Sequence, residues 1–127
     1  MGNGIKDDKG RTILQIVGTD LARSHNPDVW VKVIVESLKA FGVEYDYVSI
    51  PDCRFPNEIS VMENNFDTIS LRINRVDFES NLSNEQKNHI SETALDNYNF
   101  DYVIDTISDL QYLKDKVNDF YKLMEDK

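Results

Sequence analysis

Residues 45–73 read YDYVSIPDCRFPNEISVMENNFDTISLRI, and the order of apolar and turn-forming residues in this stretch decides the class of fold. Tyr45 to Ile50 is short and rich in aromatic and β-branched residues, so it reads as a strand. Pro51 and Pro56 fix φ and push the residue before each toward extended geometry, which makes the intervening Asp52, Cys53, Arg54 and Phe55 a corner. Ile59 to Asn65 then predicts a short helix with Val61, Met62 and Phe66 inward, and Asp67 to Ile73 a second strand. Strand, helix and strand in so few residues require a parallel crossover, the unit of an α/β fold.

The neighbouring residues extend that order. Ile13, Leu14, Ile16, Val17 and Leu21 recur at helical spacing between Arg11 and Ala22, with Gln15 and Asp20 off the stripe and Gly18 as a weak point. Asn26 and Pro27 suit a helix start, and Trp30, Val33, Ile34, Leu38 and Phe41 line one face of the next helix, stopped by Gly42. His25 falls in the turn before it. The polar stretch from Asn74 to Asn88 reads as a mobile loop, and Asp101 to Thr106 as a third strand. Leu110, Leu113, Val117, Phe120 and Met124 define a last helix, with Ser108 as its expected cap. The predicted fold is α/β: a small parallel three-stranded sheet covered by helices. Residues 1–10 are expected as a flexible tail and 11–127 as a single domain. Ligands of such sheets meet the carboxyl ends of the strands, the rim where Asp52, Arg54 and Arg75 fall.

At 127 residues the chain suits one core. Its 14 Lys and Arg against 23 Asp and Glu give a net charge of −9, which argues against a basic face for nucleic acid or membrane. It leaves room for a basic protein partner. Cys53 is the only cysteine, so an internal disulfide and a cysteine-built zinc site are both excluded. No apolar run approaches the roughly 18 residues of a membrane span, and the first residues lack a signal-peptide core, so a cytoplasmic location is expected.

Three segments carry a resemblance: RTILQIVGTDLARSHNPDVWV (11–31), DCRFPNE (52–58) and HISETALDNYNFDYVID (89–105). An Arg-x-x-x-Gln helix running to Gly-Thr, an Asn-Pro-Asp-x-Trp helix start, an Asp-x-Arg-Phe-x-Asn-Glu corner and a His-x-Ser-Glu segment succeed one another in this order. In this the chain resembles the deoxynucleoside monophosphate kinases of bacteriophages and related mobile elements, members of the P-loop kinases that move a phosphoryl group from ATP to a deoxynucleotide. The phosphate-loop pattern Gly-x-x-x-x-Gly-Lys-Ser/Thr does not occur; GNGIKDDKGR (2–11) has its glycines at the wrong spacing. The chain therefore looks like the carboxyl-terminal part of such a kinase, its core lacking the first strand and the phosphate loop. The resemblance puts that absent strand between the strands at 45–50 and 68–73. Two unpaired edges result, to be closed by direct pairing, by a second chain or by a homodimer joined through the sheet edge.

The resemblance implies a deoxynucleoside monophosphate as substrate, with ATP and Mg²⁺ only where a partner supplies the phosphate loop. Asp52 and Arg54 are the candidate catalytic residues, and Asp52 the candidate Mg²⁺ ligand. Arg54 could clamp a phosphate or pair with Asp52 or Glu58. Arg11, Arg23, Arg75, His89, Ser91 and Glu92 are the candidate substrate-binding residues, although Ser91 also suits a helix cap and a helix-surface arginine needs no ligand. Neither histidine has a partner that the sequence identifies, so no nucleophile–His–acid set emerges. Phe55 and Trp30 are read as core, with base stacking as the alternative. The rival function is a phage-borne kinase remnant acting as an acidic binding protein, an inhibitor of a host nucleic-acid-binding defence enzyme in the manner of an anti-CRISPR protein.

Overall fold

The computed structural model describes residues 7–41 and 45–126. They group into two units. One holds the described residues up to Thr68 together with Leu82–Tyr98; the other holds Ile69–Asn81 and the described residues from Asn99 onward.

In the first unit Asp7 caps helix α1, Asp8–Gln15, its carboxylate accepting from the Gly10 amide at 2.7 Å. Of the expected tail, residues 1–6 lie outside the described residues, and 7–10 form this cap and first turn. α1 runs into a π-helical turn, Ile16–Leu21, and then into α2, Ala22–His25. The helix predicted over 11–22 is therefore present but wider in its middle. Gly18 lies in the wide turn, and the Trp30 indole N–H donates to its carbonyl at 2.7 Å. The extra residue of a π-turn shifts the phase of everything beyond it. The apolar stripe accordingly makes no single buried face: Ile13, Leu14, Val17 and Leu21 all remain exposed.

The Asn26 side chain accepts from the Asp28 amide at 3.0 Å and turns the chain into α3, Val29–Phe41. Its buried residues are Val31 and Val35, one helical turn apart, and they face α4, Pro56–Asn65, where Ile59 is buried. This corrects the predicted inward face: Trp30, Val33 and Phe41 are exposed, and Trp30 is not core because its indole is drawn to Gly18. The predicted stop at Gly42 lies outside the described residues. Phe55 is buried as expected. Two further short helices close this unit, α5, Asn84–Lys87, and α6, Ile90–Thr93. Part of the segment read as a loop over 74–88 is thus regular. Ser83 and Gln86 form a reciprocal capping box at α5, each side chain taking the other's amide at 3.2 Å.

In the second unit β1, Leu71–Arg75, pairs in parallel with β2, Tyr102–Thr106, from Leu71 opposite Tyr102 to Arg75 opposite Thr106. The chain is α/β, and among the described residues its sheet is parallel and two-stranded, one strand fewer than expected. Residues 45–50 form no ladder, because β-propensity describes side chains that fit a pleated surface and does not supply the neighbouring strand. β1 also begins later than predicted. Ahead of it, the Ser70 amide and hydroxyl both donate to Asp101 Oδ2 at 2.8 Å, and the Asp101 amide donates to Ser70 Oγ at 3.0 Å. This side-chain lock stands beside the first backbone bond of the pair, which the Tyr102 amide donates to the Ser70 carbonyl at 3.1 Å.

Helix α7, Leu110–Glu125, is capped by Asp109, whose carboxylate accepts from the amides of Gln111 and Tyr112 at 2.8 and 3.1 Å. Ser108 is not the cap: its amide donates to Asp77 and its hydroxyl accepts from Arg75. α7 packs on β2 with the Phe120 ring edge-on to Tyr102, centroids 5.2 Å apart. Val117, expected to be buried, is 42% exposed because it sits a turn away from this contact. Phe120→Ala should therefore lower stability by about 2 kcal/mol, while Val117→Asp should cost less than about 1 kcal/mol. Denaturant melts of the two variants beside the parent check both; equal losses would mean that α7 lies differently on the sheet.

Candidate functional site

The corner at 51–58 owes its shape to Glu58, the third residue of α4. One oxygen, Oε2, accepts from the backbone amides of Arg54 at 2.8 Å and Phe55 at 3.0 Å. This is half of a capping box; the Phe55 ring cannot return the bond. With those amides satisfied the chain enters α4 at Pro56, where a missing N–H costs nothing.

Glu58 Oε1 faces Arg23 Nη1 at 3.5 Å, and Arg23 is the least exposed of the candidate arginines, its side chain 13% accessible. Its guanidinium also donates to the Pro27 carbonyl at 2.6 Å and to Asn57 Oδ1 at 2.8 Å, and lies 3.6 Å over the Phe55 ring. Asn57 in turn donates to the Pro27 carbonyl and to Asp28 Oδ1. Arg23 thereby ties the Asn-Pro-Asp turn to the Phe-Pro-Asn-Glu corner. Both of its terminal nitrogens are engaged inside the unit, which gives it a structural part in the corner. Asn57 and Asp28 belong to this clasp and were not singled out by sequence; their place in the two motifs was the available signal.

Arg54 points the other way. Its Nε meets Asp52 Oδ1 at 3.0 Å and its Nη1 meets Glu92 Oε1 at 2.7 Å, with the Ser91 carbonyl 3.5 Å from the same nitrogen. The side chain is 43% exposed and Asp52 81%. Burial pulls the guanidinium's pKa down, but Asp52 and Glu92 outweigh that, so it lies above its ordinary value and stays charged. The neighbouring Cys53 thiol is pushed up to about 11, by burial first and then by the Glu58 carboxylate. It is a protonated thiol at neutral pH.

Glu92 belongs to the turn that begins at His89. The Ser91 amide donates to His89 Nδ1 at 3.2 Å, which caps α6 and assigns the ring proton to Nε2. Nε2 faces Asp20 Oδ1 at 3.3 Å, and the Ser91 hydroxyl lies 2.8 Å from Nδ1. An aspartate, a histidine and a serine are thus in line, a set that the sequence did not reveal. It is a capping arrangement: Ser91 is 6% exposed, and a nucleophile needs an accessible oxygen. Asp20 was missed because it lies within the π-turn, where regular helical counting from Arg11 fails.

The structure brings together Asp52, Arg54, Ser91, Glu92 and His89, with Arg23 in the adjoining clasp. Arg11 is exposed on α1 and makes no ion pair with a described residue. Arg75 belongs to the second unit, where it donates to Ser108 Oγ at 2.6 Å, pairs with Asp77 at 3.4 Å and stacks on Phe78. Hydrogen bonds from Ser108 hold the Asp77 carboxyl below its ordinary range. No group of three or more His, Cys, Asp or Glu among the described residues is disposed to hold a metal ion. No helix among them is long and apolar enough to cross a membrane.

The fold is that of a small kinase-like α/β chain. A family model for deoxynucleotide monophosphate kinase matches residues 6–117, and the chain belongs to that family. Comparison with curated proteins and with solved structures gives no match.

This geometry leads to two expected outcomes. Arg23→Ala should lower stability by about 3 kcal/mol, since it strips a nearly buried clasp of its centre; a melt within 1 °C of the parent would refute the scaffold role. Cys53 should be alkylated by iodoacetamide at pH 8 at least about tenfold more slowly in the native protein than after unfolding, because its thiolate fraction falls with the raised pKa.

Proposed function

We propose that the chain forms the acceptor side of a deoxynucleoside monophosphate kinase, with Arg54 receiving the monophosphate. The supporting observation is the state of Arg54: half exposed, fixed in direction by Asp52, Glu92 and the Ser91 carbonyl, and paired only with groups that a phosphate can replace. A guanidinium already oriented by carboxylates matches a phosphate's oxygens with little reordering. The Glu58 bonds to the backbone of 54 and 55 keep its base in place during the exchange.

Phosphoryl transfer between nucleotides depends on positioning and charge neutralisation, and Arg54 would supply both at the acceptor. The ATP phosphates need an amide cradle and a lysine, which in this reading come from outside the 127 residues. Mg²⁺ is commonly held by one or two carboxylates plus phosphate oxygens. Asp52 fits as the single carboxylate here, since Arg54 releases it on taking a phosphate.

Calorimetric titration with the four deoxynucleoside monophosphates, on the parent and on Arg54→Ala, tests the reading. Binding should weaken at least about tenfold in the variant, the loss of one charge-assisted phosphate contact. Its melt should stay within about 1 kcal/mol of the parent because the lost ion pairs are largely exposed. Arg54→Lys should recover only part of the binding, having charge without the planar fork. Absence of binding by the parent, with a clear stability loss in Arg54→Ala, would make the corner scaffold.

A further inference from the structure

A cavity of about 150 Å³ opens beside the π-helical turn, with Gln15, Ile16, Asp20, Glu85 and His89 among its lining residues. Two of these side chains are uncommitted: the Gln15 amide and the Glu85 carboxylate make no hydrogen bond or ion pair with any described residue. His89, also in the lining, is fixed, because it is held at one nitrogen by Asp20 and at the other by the Ser91 amide. His89 also begins the turn whose Ser91 carbonyl and Glu92 carboxylate meet Arg54, so the cavity and the guanidinium share one four-residue segment.

We infer that this cavity takes the base of the nucleotide whose phosphate Arg54 receives, and that the base is an aminopyrimidine, cytosine. The inference rests on the acceptor-side reading above and deepens it. Size selects the ring, since a cavity of about 150 Å³ holds a single six-membered aromatic ring. Polarity selects the edge. An amide offers a donor and an acceptor side by side, the complement of cytosine N3 and its 4-amino group, and a carboxylate accepts the second amino hydrogen. Thymine would turn its O4 carbonyl toward the Glu85 carboxylate, acceptor against acceptor. Purines exceed the ring that the space admits, and Ile16 supplies an apolar wall for the ring face.

The test is calorimetric titration of dCMP, TMP, dAMP and dGMP into the parent, Glu85→Gln, Gln15→Leu and Arg54→Ala, each checked for folding by its thermal melt. The parent should bind dCMP at least about tenfold tighter than the other three, the discrimination expected of one good polar pair. Glu85→Gln replaces an acceptor by a group that can also donate, so it should narrow the dCMP-to-TMP ratio at least about fivefold. Glu85 is exposed on a short helix, which leaves the fold of that variant intact. Gln15→Leu should weaken dCMP and leave little choice between the pyrimidines. Tighter binding of a purine, or an unchanged ratio in Glu85→Gln, would overturn the inference. If monophosphates bind and depend on Arg54 but not on Gln15 or Glu85, the cavity assignment falls while the acceptor-side reading stands. If no monophosphate binds the parent, both fall.

Discussion

The carboxylate of Glu58 is the constraint on which the rest of the first unit depends. One of its oxygens closes the backbone of the corner by taking two successive amides, and the other holds the cation that reaches back to the Asn-Pro-Asp turn. Without the first, the amides of Arg54 and Phe55 would be left unpaired at a partly buried helix start. Without the second, the Arg23 guanidinium would lose the carboxylate that faces it inside the clasp. The Arg54 side chain gains its direction indirectly, because its own backbone is pinned while its guanidinium meets Asp52 and Glu92. A scaffold carboxylate and a half-exposed arginine therefore sit within five residues, and the direction of the second depends on the first.

Charge works against the proposed ligand at long range and for it at short range. The chain carries −9 overall, and Arg54 is flanked by two carboxylates. An approaching phosphate meets a repulsive field that salt screens over about 10 Å at 0.1 M ionic strength. Association should consequently be helped by moderate salt, the reverse of what a basic nucleotide or nucleic-acid site shows. Discrimination must then come from contacts made inside the site, where the guanidinium's geometry counts for more than its attraction.

What could be read from the sequence divides along physical lines. Helix α7, helix α4 and strand β2 are local: period, caps and turn residues sit in the same short stretch, and all three lie close to their expected places. Residues 45–50 depart from expectation because a strand is a relation between segments, and their side chains state only half of it. The sheet entrance departs for a related reason, since nothing local announces that Ser70 and Asp101, 31 residues apart, lock it with side-chain bonds. At the site, Arg54, His89, Ser91 and Glu92 are legible as motif members and do assemble. The clasp around Arg23 is not legible, because its partners there are the Phe55 ring and Asn57, both more than thirty residues downstream. Gln15 is legible only as a member of the Arg-x-x-x-Gln motif and Glu85 carries no local mark at all; the cavity is what brings the two together.

The π-helical turn gives the first helix an angular arithmetic of its own. Successive residues of an α-helix are about 100° apart around the axis, and a π-turn inserts one residue's worth of extra rotation between the turns on either side of it. Gln15 stands before the wide turn and Asp20 within it, yet both line the same cavity. A chain shortened by one residue within 16–21 could recover regular α-helical bonding, and it would swing Asp20 roughly a quarter-turn away from His89. Helix regularity and the present side-chain constellation are thus alternatives at this point in the chain, and the wider turn is the geometry that keeps the constellation.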